Sequence, residues 1–280
     1  MRLALRLRDK LLDIDPGRPL VMGIENASPD SFSGNGHAAG ADIVDVGGES
    51  GRTDVAPVPA QEEIERVVPV VERLVAQGAL VSVDTWKVEV ARAVLDAGAV
   101  MINDVSGLRD PEIASACAQT GAALVLMHTR GEPKMKEFPG YGDVVGDVVA
   151  FLRERMILAA EHGVGEEQIV LDPGPDFAKT PAETVAVLRR LDVVAALGRP
   201  VLLAVSRKDF VGQVTGRMPR RRLAGTLAAI ADGVDRGAAI LRVHDVPETL
   251  DYLAVRGALR GEREVHPGPL EEGLRREPAA

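Results

Sequence analysis

Runs of Val, Ile, Leu and Ala recur along the chain at 20–25, 42–47, 79–84, 99–103, 122–127, 168–172, 200–206 and 239–243. Each is too short and too continuous to be one face of an exposed strand, so each predicts a strand buried on both sides. Between them, apolar residues recur at i, i+3 and i+4 over 60–77, 87–97, 111–120, 143–162, 181–197, 219–236 and 247–258, the spacing of amphipathic helices. Eight buried strands alternating with helices in this length predict an α/β fold, a closed (β/α)8 TIM barrel, rather than an open sheet.

One crossover breaks the pattern. The first two strands are joined by SPDSFSGNGHAAGA, which is Gly-rich and lacks helical periodicity. The first crossover helix is therefore expected to be missing or very short. The chain divides into an N-terminal segment (1–18), one barrel domain (19–260) and a polar, proline-containing tail (261–280) expected to be mobile.

Composition narrows the classes of function. The net charge of −9 argues against a general nucleic-acid role, because phosphate backbones need a basic face. No apolar stretch reaches membrane-span length, and the charged opening MRLALRLRDKLLDID resembles no signal peptide, so a cytoplasmic location is expected. Cys117 stands alone, which rules out a disulfide framework and reads as a small core residue. The histidines show no metal-ligand spacing, and neither a dinucleotide fingerprint nor a phosphate loop is present.

Polar residues collect where the apolar runs stop, the end at which barrel enzymes keep their chemistry. Asn26 follows the first strand, Asp84 ends the third, Asn103 the fourth and Met127 the fifth, while Asp172 closes the sixth. Any one of these could be a turn or cap residue. Together at successive strand ends, two carboxylates and an amide suit a flat heterocycle rich in N–H donors. Lys208, Arg242 and His244 follow the last two strands, and Arg52 lies after the second; such positive groups in an acidic chain imply an anionic ligand. Arg207 and Lys208 could instead be solvated loop charges, and Arg220-Arg221-Arg222 reads as a solvated or phosphate-adjacent surface run.

In order along the chain, NASPDSF, ADIVDVGGES, SVDT, IND, LDPG, SRK and RVHDV resemble the motifs of the dihydropteroate synthase family from Pro19 to about Arg256. The resemblance implies a TIM barrel that condenses a dihydropterin-CH2 diphosphate with para-aminobenzoate, releases diphosphate, uses Mg2+ and pairs as a homodimer. It implies that Asp84, Asn103, Asp172 and Lys208 hold the pterin ring, with Met127 and Phe177 against its faces. Asn26, Arg242 and His244 match the diphosphate region, with Asn26 toward the metal. Asp30, Phe32 and Arg52 match two loops that close over the ligands and form the aminobenzoate pocket, beside Ser206. Among these, Asp30, Arg52 and Lys208 are the residues expected to act on the reacting groups.

The chain departs from the family where substrate loops are expected. Ser50-Gly51-Arg52-Thr53 stands in place of Ser-Thr-Arg-Pro, and Pro175-Asp176 replaces an apolar residue and glycine. A loop richer in glycine costs more entropy to order, so weak aminobenzoate and sulfonamide binding is expected. Two alternatives follow: a pterin-binding paralogue with little synthase activity, or a pterin-dependent methyltransferase working with a cobalamin protein.

Overall fold

The computed structural model describes residues 3–15, 17–27, 40–49, 56–270 and 272–275. Eight parallel strands close a barrel: β3 (Leu20–Asn26), β4 (Ile43–Gly47), β5 (Val81–Asp84), β6 (Met101–Asp104), β7 (Ala123–Met127), β8 (Ile169–Asp172), β9 (Val201–Leu203) and β10 (Ala238–Val243). These are the eight runs expected from the sequence. β10 pairs with β3, which seals the sheet and leaves no edge strand. Most of the crossover between β3 and β4 (28–39), where the first helix was expected to be missing, lies outside the described residues.

The described outer helices are α1 (Ala60–Ala76), α2 (Val88–Asp96), α3 (Glu112–Thr120), α4 (Val144–Glu161), α5 (Pro181–Leu188), α6 (Leu191–Ala195), α7 (Asp209–Thr215), α8 (Leu223–Asp235) and α9 (Val246–Leu259). Their buried sides meet the outer faces of the strands in one core that includes Val44, Val83, Ile102, Leu124, Leu171 and Leu203. Cys117 is buried within it, as a free thiol. The expected 181–197 helix is two helices, because Arg190 leaves helical torsion (φ −122°, ψ 31°) and the chain restarts with Leu191 buried. Thr180 and Glu183 form a reciprocal capping box at the start of α5, followed by Pro181 at its first turn.

The N-terminal segment, given no element by its pattern, forms an antiparallel hairpin of β1 (Leu3–Leu7) and β2 (Lys10–Ile14). Leu5, Leu7 and Ile14 are buried against Met22, Ile43, Met101, Val125, Val170, Leu202 and Ile240. These partners point into the barrel at its N-terminal end, so the hairpin is a plug. It is also tied at its turn, where Arg8 N donates to Gly121 O and Arg8 Nη1 to Leu95 O. The barrel interior thus runs from an apolar floor to a polar mouth.

Candidate active site

Strand alternation puts every second side chain inside the barrel, and the uppermost inward layer is Asn26, Asp84, Asn103, Met127, Asp172 and Arg242. Register confirms the neighbours: Asp84 sits beside Asn103, and Met127 beside Asp172. The mouth opens into a cavity of about 780 Å³, within the range of small-molecule sites, lined in part by Asn26, Asp84, Phe177, Ser206, Lys208, Arg242 and His244. Asn103, Met127 and Asp172, in the same layer, are 2%, 1% and 3% exposed. Asp30, Phe32 and Arg52, together with Gly51 and Thr53, lie outside the described residues.

Charge is arranged in two connected layers. The Arg242 guanidinium forks, donating from Nε to Asp45 Oδ2 at 2.6 Å and from Nη2 to Asp84 Oδ2 at 2.8 Å. Asp45, fully buried, also accepts from Asn103 Nδ2 at 3.2 Å. That bond turns the amide so that its carbonyl oxygen is the free acceptor, an orientation set by the network. Arg242, expected at a diphosphate, is thus joined by its fork to Asp84, expected at the pterin ring. Asp45 escaped the sequence reading because it lies inside the hydrophobic run DIVDVG, where one polar residue at an inward position is its only signal.

Burial pushes the Asp84 carboxyl up to about 7, against the pull of Arg242 and with Asp45 and Glu63 adding to the rise. Asp172 is likewise raised by burial, opposed by its bond from Gly174 N and by Lys208. Lys208 is lowered by burial, while Asp176 and Asp172 resist that fall. Its Nζ lies 4.2 Å from the centre of the Phe177 ring, close enough for a cation–π contact.

Lys208 is the most heavily braced of these groups. Arg222 Nη1 donates to the carbonyls of Arg207 and Lys208, and its guanidinium also meets Asp209. Arg222 is therefore a strut rather than part of a surface run. Asp176 Oδ2 accepts the backbone N–H of Asp209 and of Phe210, the first residues of α7. Asp176 adopts φ +63°, a torsion that glycine takes without cost and that Asp tolerates better than most residues. The departure from glycine there thus supplies a helix cap, and its charge is spent on backbone amides. Arg207, itself at φ +59°, is not a solvated charge: it is paired with Asp245.

At the rim, Ser206 Oγ lies 2.9 Å from His244 Nδ1. Partial desolvation and the cations Arg207 and Arg242 hold His244 below its ordinary value, so it is a neutral imidazole rather than the cation expected. Ser206, expected beside the aminobenzoate, is thereby tied to the residue expected at the diphosphate. Sequence reasoning also missed Lys179, 1% exposed, whose Nζ donates to the carbonyls of His128, Gly174 and Phe177 at 3.3, 2.9 and 3.2 Å.

A sealed barrel whose mouth combines buried carboxylates, an oriented amide and confined cations defines an enzyme built to hold a donor-rich ring beside an anion. A family model described as pterin binding enzyme matches residues 22–244. The dihydropteroate synthase of Bacillus subtilis (strain 168) is 41% identical over 268 residues, 90% of this chain and 92% of its own. Among solved structures, Xanthomonas albilineans dihydropteroate synthase with 4-aminobenzoic acid superposes with a TM-score of 0.84 at 43% identity, covering 93% of this chain and 99% of its own. The Burkholderia cenocepacia dihydropteroate synthase complexed with 7,8-dihydropteroate gives 0.86 at 41% identity, covering 92% and 97%. The chain belongs to the dihydropteroate synthase family of pterin-binding enzymes.

Proposed function

We propose that the protein is a dihydropteroate synthase acting in folate biosynthesis, and that the layered mouth described above is its active site. The observation that carries this reading is the gathering of Asp84, Asn103, Asp172 and Lys208 at the C-terminal end of a sealed barrel, from β5, β6, β8 and the loop after β9, in a chain that matches dihydropteroate synthases over nearly all their length. The carboxylates and the Asn103 carbonyl accept ring N–H groups, Lys208 donates, and Phe177 and Met127 bound the ring.

In the reaction, the amine of para-aminobenzoate attacks the methylene carbon, the carbon–oxygen bond breaks, and diphosphate departs with the bonding pair. The amine then loses a proton. Positive charge that develops at the methylene spreads into the ring, where buried carboxylates stabilise it. Arg242 and His244 receive the departing anion at the rim. The amine is already nucleophilic, so orientation carries much of the rate.

Asn26 is exposed at the mouth and presents an amide oxygen. The described residues contain no group of three acidic, His or Cys ligands. Asn26, whose amide oxygen is a hard donor, would hold a Mg2+, whose charge would offset that of the leaving diphosphate. Asp30, Phe32 and Arg52 are assigned to the closing loops and the aminobenzoate pocket by family resemblance. No described helix is long and apolar enough to cross a membrane, and a cytoplasmic location is inferred. Val255 and Leu259, one turn apart on α9, are 61% and 84% exposed and support pairing with a second copy, which sedimentation would test.

The direct test is pteroate formation from the dihydropterin diphosphate and para-aminobenzoate, with each substrate and Mg2+ omitted in turn. Product only in the complete mixture supports the assignment. Pterin binding without product would favour the non-synthase paralogue.

A further inference from the structure

We propose that Lys179 is a positioning residue for the pterin half of the site, its buried ammonium fixing the turn from which Asp176 and Phe177 hold Lys208. The inference rests on the reading that Lys208 and Phe177 contact the pterin. A lysine with 1% exposure is rare, and methionine would fill the same volume without any charge to desolvate. Burial lowers Lys179 to about 7 while Asp172 opposes the fall; in its protonated form it has three donors, and three carbonyls stand within reach to take them.

Those carbonyls come from two elements. His128 O lies just past the end of β7, whereas Gly174 O and Phe177 O belong to the turn after β8. The turn is pressed hard onto β7: a Cβ on Gly174, at φ +64°, would lie 2.0 Å from His128 O. Three carbonyl oxygens converging on one point repel each other unless a cation stands between them. The same turn holds two non-glycine residues in left-handed torsion, Asp176 at φ +63° and Ala178 at φ +49°, one on each side of Phe177. Such torsions persist only where surrounding contacts over-determine them.

From this turn the consequence passes to Lys208 by two routes. The Phe177 ring lies under its Nζ, and Asp176 binds the amides immediately after it. Loss of the Lys179 ammonium would release the turn, and with it both supports of Lys208. Arg242 and His244, carried on or just after β10, would keep their places.

The test compares Lys179→Met, Lys179→Gln and Asp84→Ala in the full-length protein, by calorimetry with a dihydropterin lacking diphosphate and with inorganic diphosphate. Lys179→Met should weaken dihydropterin binding tenfold or more and change diphosphate binding less than twofold. Lys179→Gln, which keeps a donor, should recover part of the loss. In turnover, the KM for the pterin substrate should rise more than kcat falls. A Lys179→Met protein that melts earlier but binds dihydropterin as the parent does would overturn the proposal. Unchanged dihydropterin affinity in Asp84→Ala would instead overturn the site assignment beneath it. If neither Lys179 variant folds, hydrogen exchange on the unmodified protein decides: the Phe177 amide, bonded to Gly174 O, should exchange as slowly as those of β8 before any pterin is added. Fast exchange there would show that the turn is not clamped.

Discussion

At the scale of single residues, the fork of Arg242 between Asp45 and Asp84 separates it from its neighbour His244. Removing the guanidinium by Arg242→Ala leaves Asp45 fully buried without its counter-charge, and breaking such a pair costs about 3–5 kcal/mol of stability. His244→Ala removes a rim side chain and should leave stability nearly unchanged. Relative to the unmodified protein, both variants should lose more affinity for the diphosphate ester than for a pterin lacking diphosphate; denaturant titration beside calorimetry reads both quantities. Asp84 carries a second expectation. A carboxyl raised to about 7 is largely protonated below that value, and a protonated carboxyl cannot accept a pair of ring N–H groups. Pterin affinity should therefore fall as pH drops through about 7, and Asp84→Asn should bind weakly with a flattened profile. An affinity independent of pH between 6 and 8 in the unmodified protein would contradict the role given to Asp84. The stability sign is opposite: the folded state holds this proton more tightly than the unfolded chain, so the group's contribution to stability declines as pH rises from about 4 to 7.

At the scale of elements, α7 shows what a sequence can and cannot declare. Its seven residues, DFVGQVT, combine β-branched side chains with a glycine and have little helical propensity. The helix forms because a carboxylate from Asp176, 33 residues earlier, caps it, and no local pattern announces such a partner. Asp176→Ala should cost about 1 kcal/mol or somewhat more, since it removes a cap at a left-handed position. It should also raise the KM for the pterin substrate, because the capped amides follow Lys208 directly; steady-state kinetics checks this. The strands, by contrast, were legible because each is a continuous apolar run, and their ends were legible because polar residues interrupt it. Asp84, Asn103, Asp172, Lys208 and Arg242 were found by that interruption. Asp45 and Lys179 were not, since one sits within a run and the other within a turn, and their roles depend on partners from distant strands. The hairpin of β1 and β2 was hidden by charges threaded among its leucines.

At the scale of the whole molecule, the hairpin packs on the apolar floor while the charged groups sit at the mouth, so the two are expected to contribute independently. Leu5, Leu7 and Ile14 join the apolar floor, and each fully buried side chain of this kind contributes about 1.5–3 kcal/mol. Leu5→Ala should lower the unfolding free energy by about 2–5 kcal/mol while dihydropterin affinity stays within twofold. Chemical denaturation and calorimetry on the same variant measure the two. A large loss of affinity would mean that the floor transmits strain to the mouth through the packed interior.

The plug under the barrel has one more consequence, concerned with traffic rather than stability. A cylinder stoppered at one end is a well, and whatever reaches its bottom must pass everything nearer the rim. Of the groups assigned to the pterin ring, Asn103, Met127 and Asp172 are almost wholly buried, whereas Asn26 is exposed and lines the open cavity with His244. On the proposed assignment the ring is expected to enter first and the aminobenzoate to follow, and diphosphate is expected to leave before the pteroate. Product-inhibition kinetics reads that order: the first molecule in would be part of the last one out.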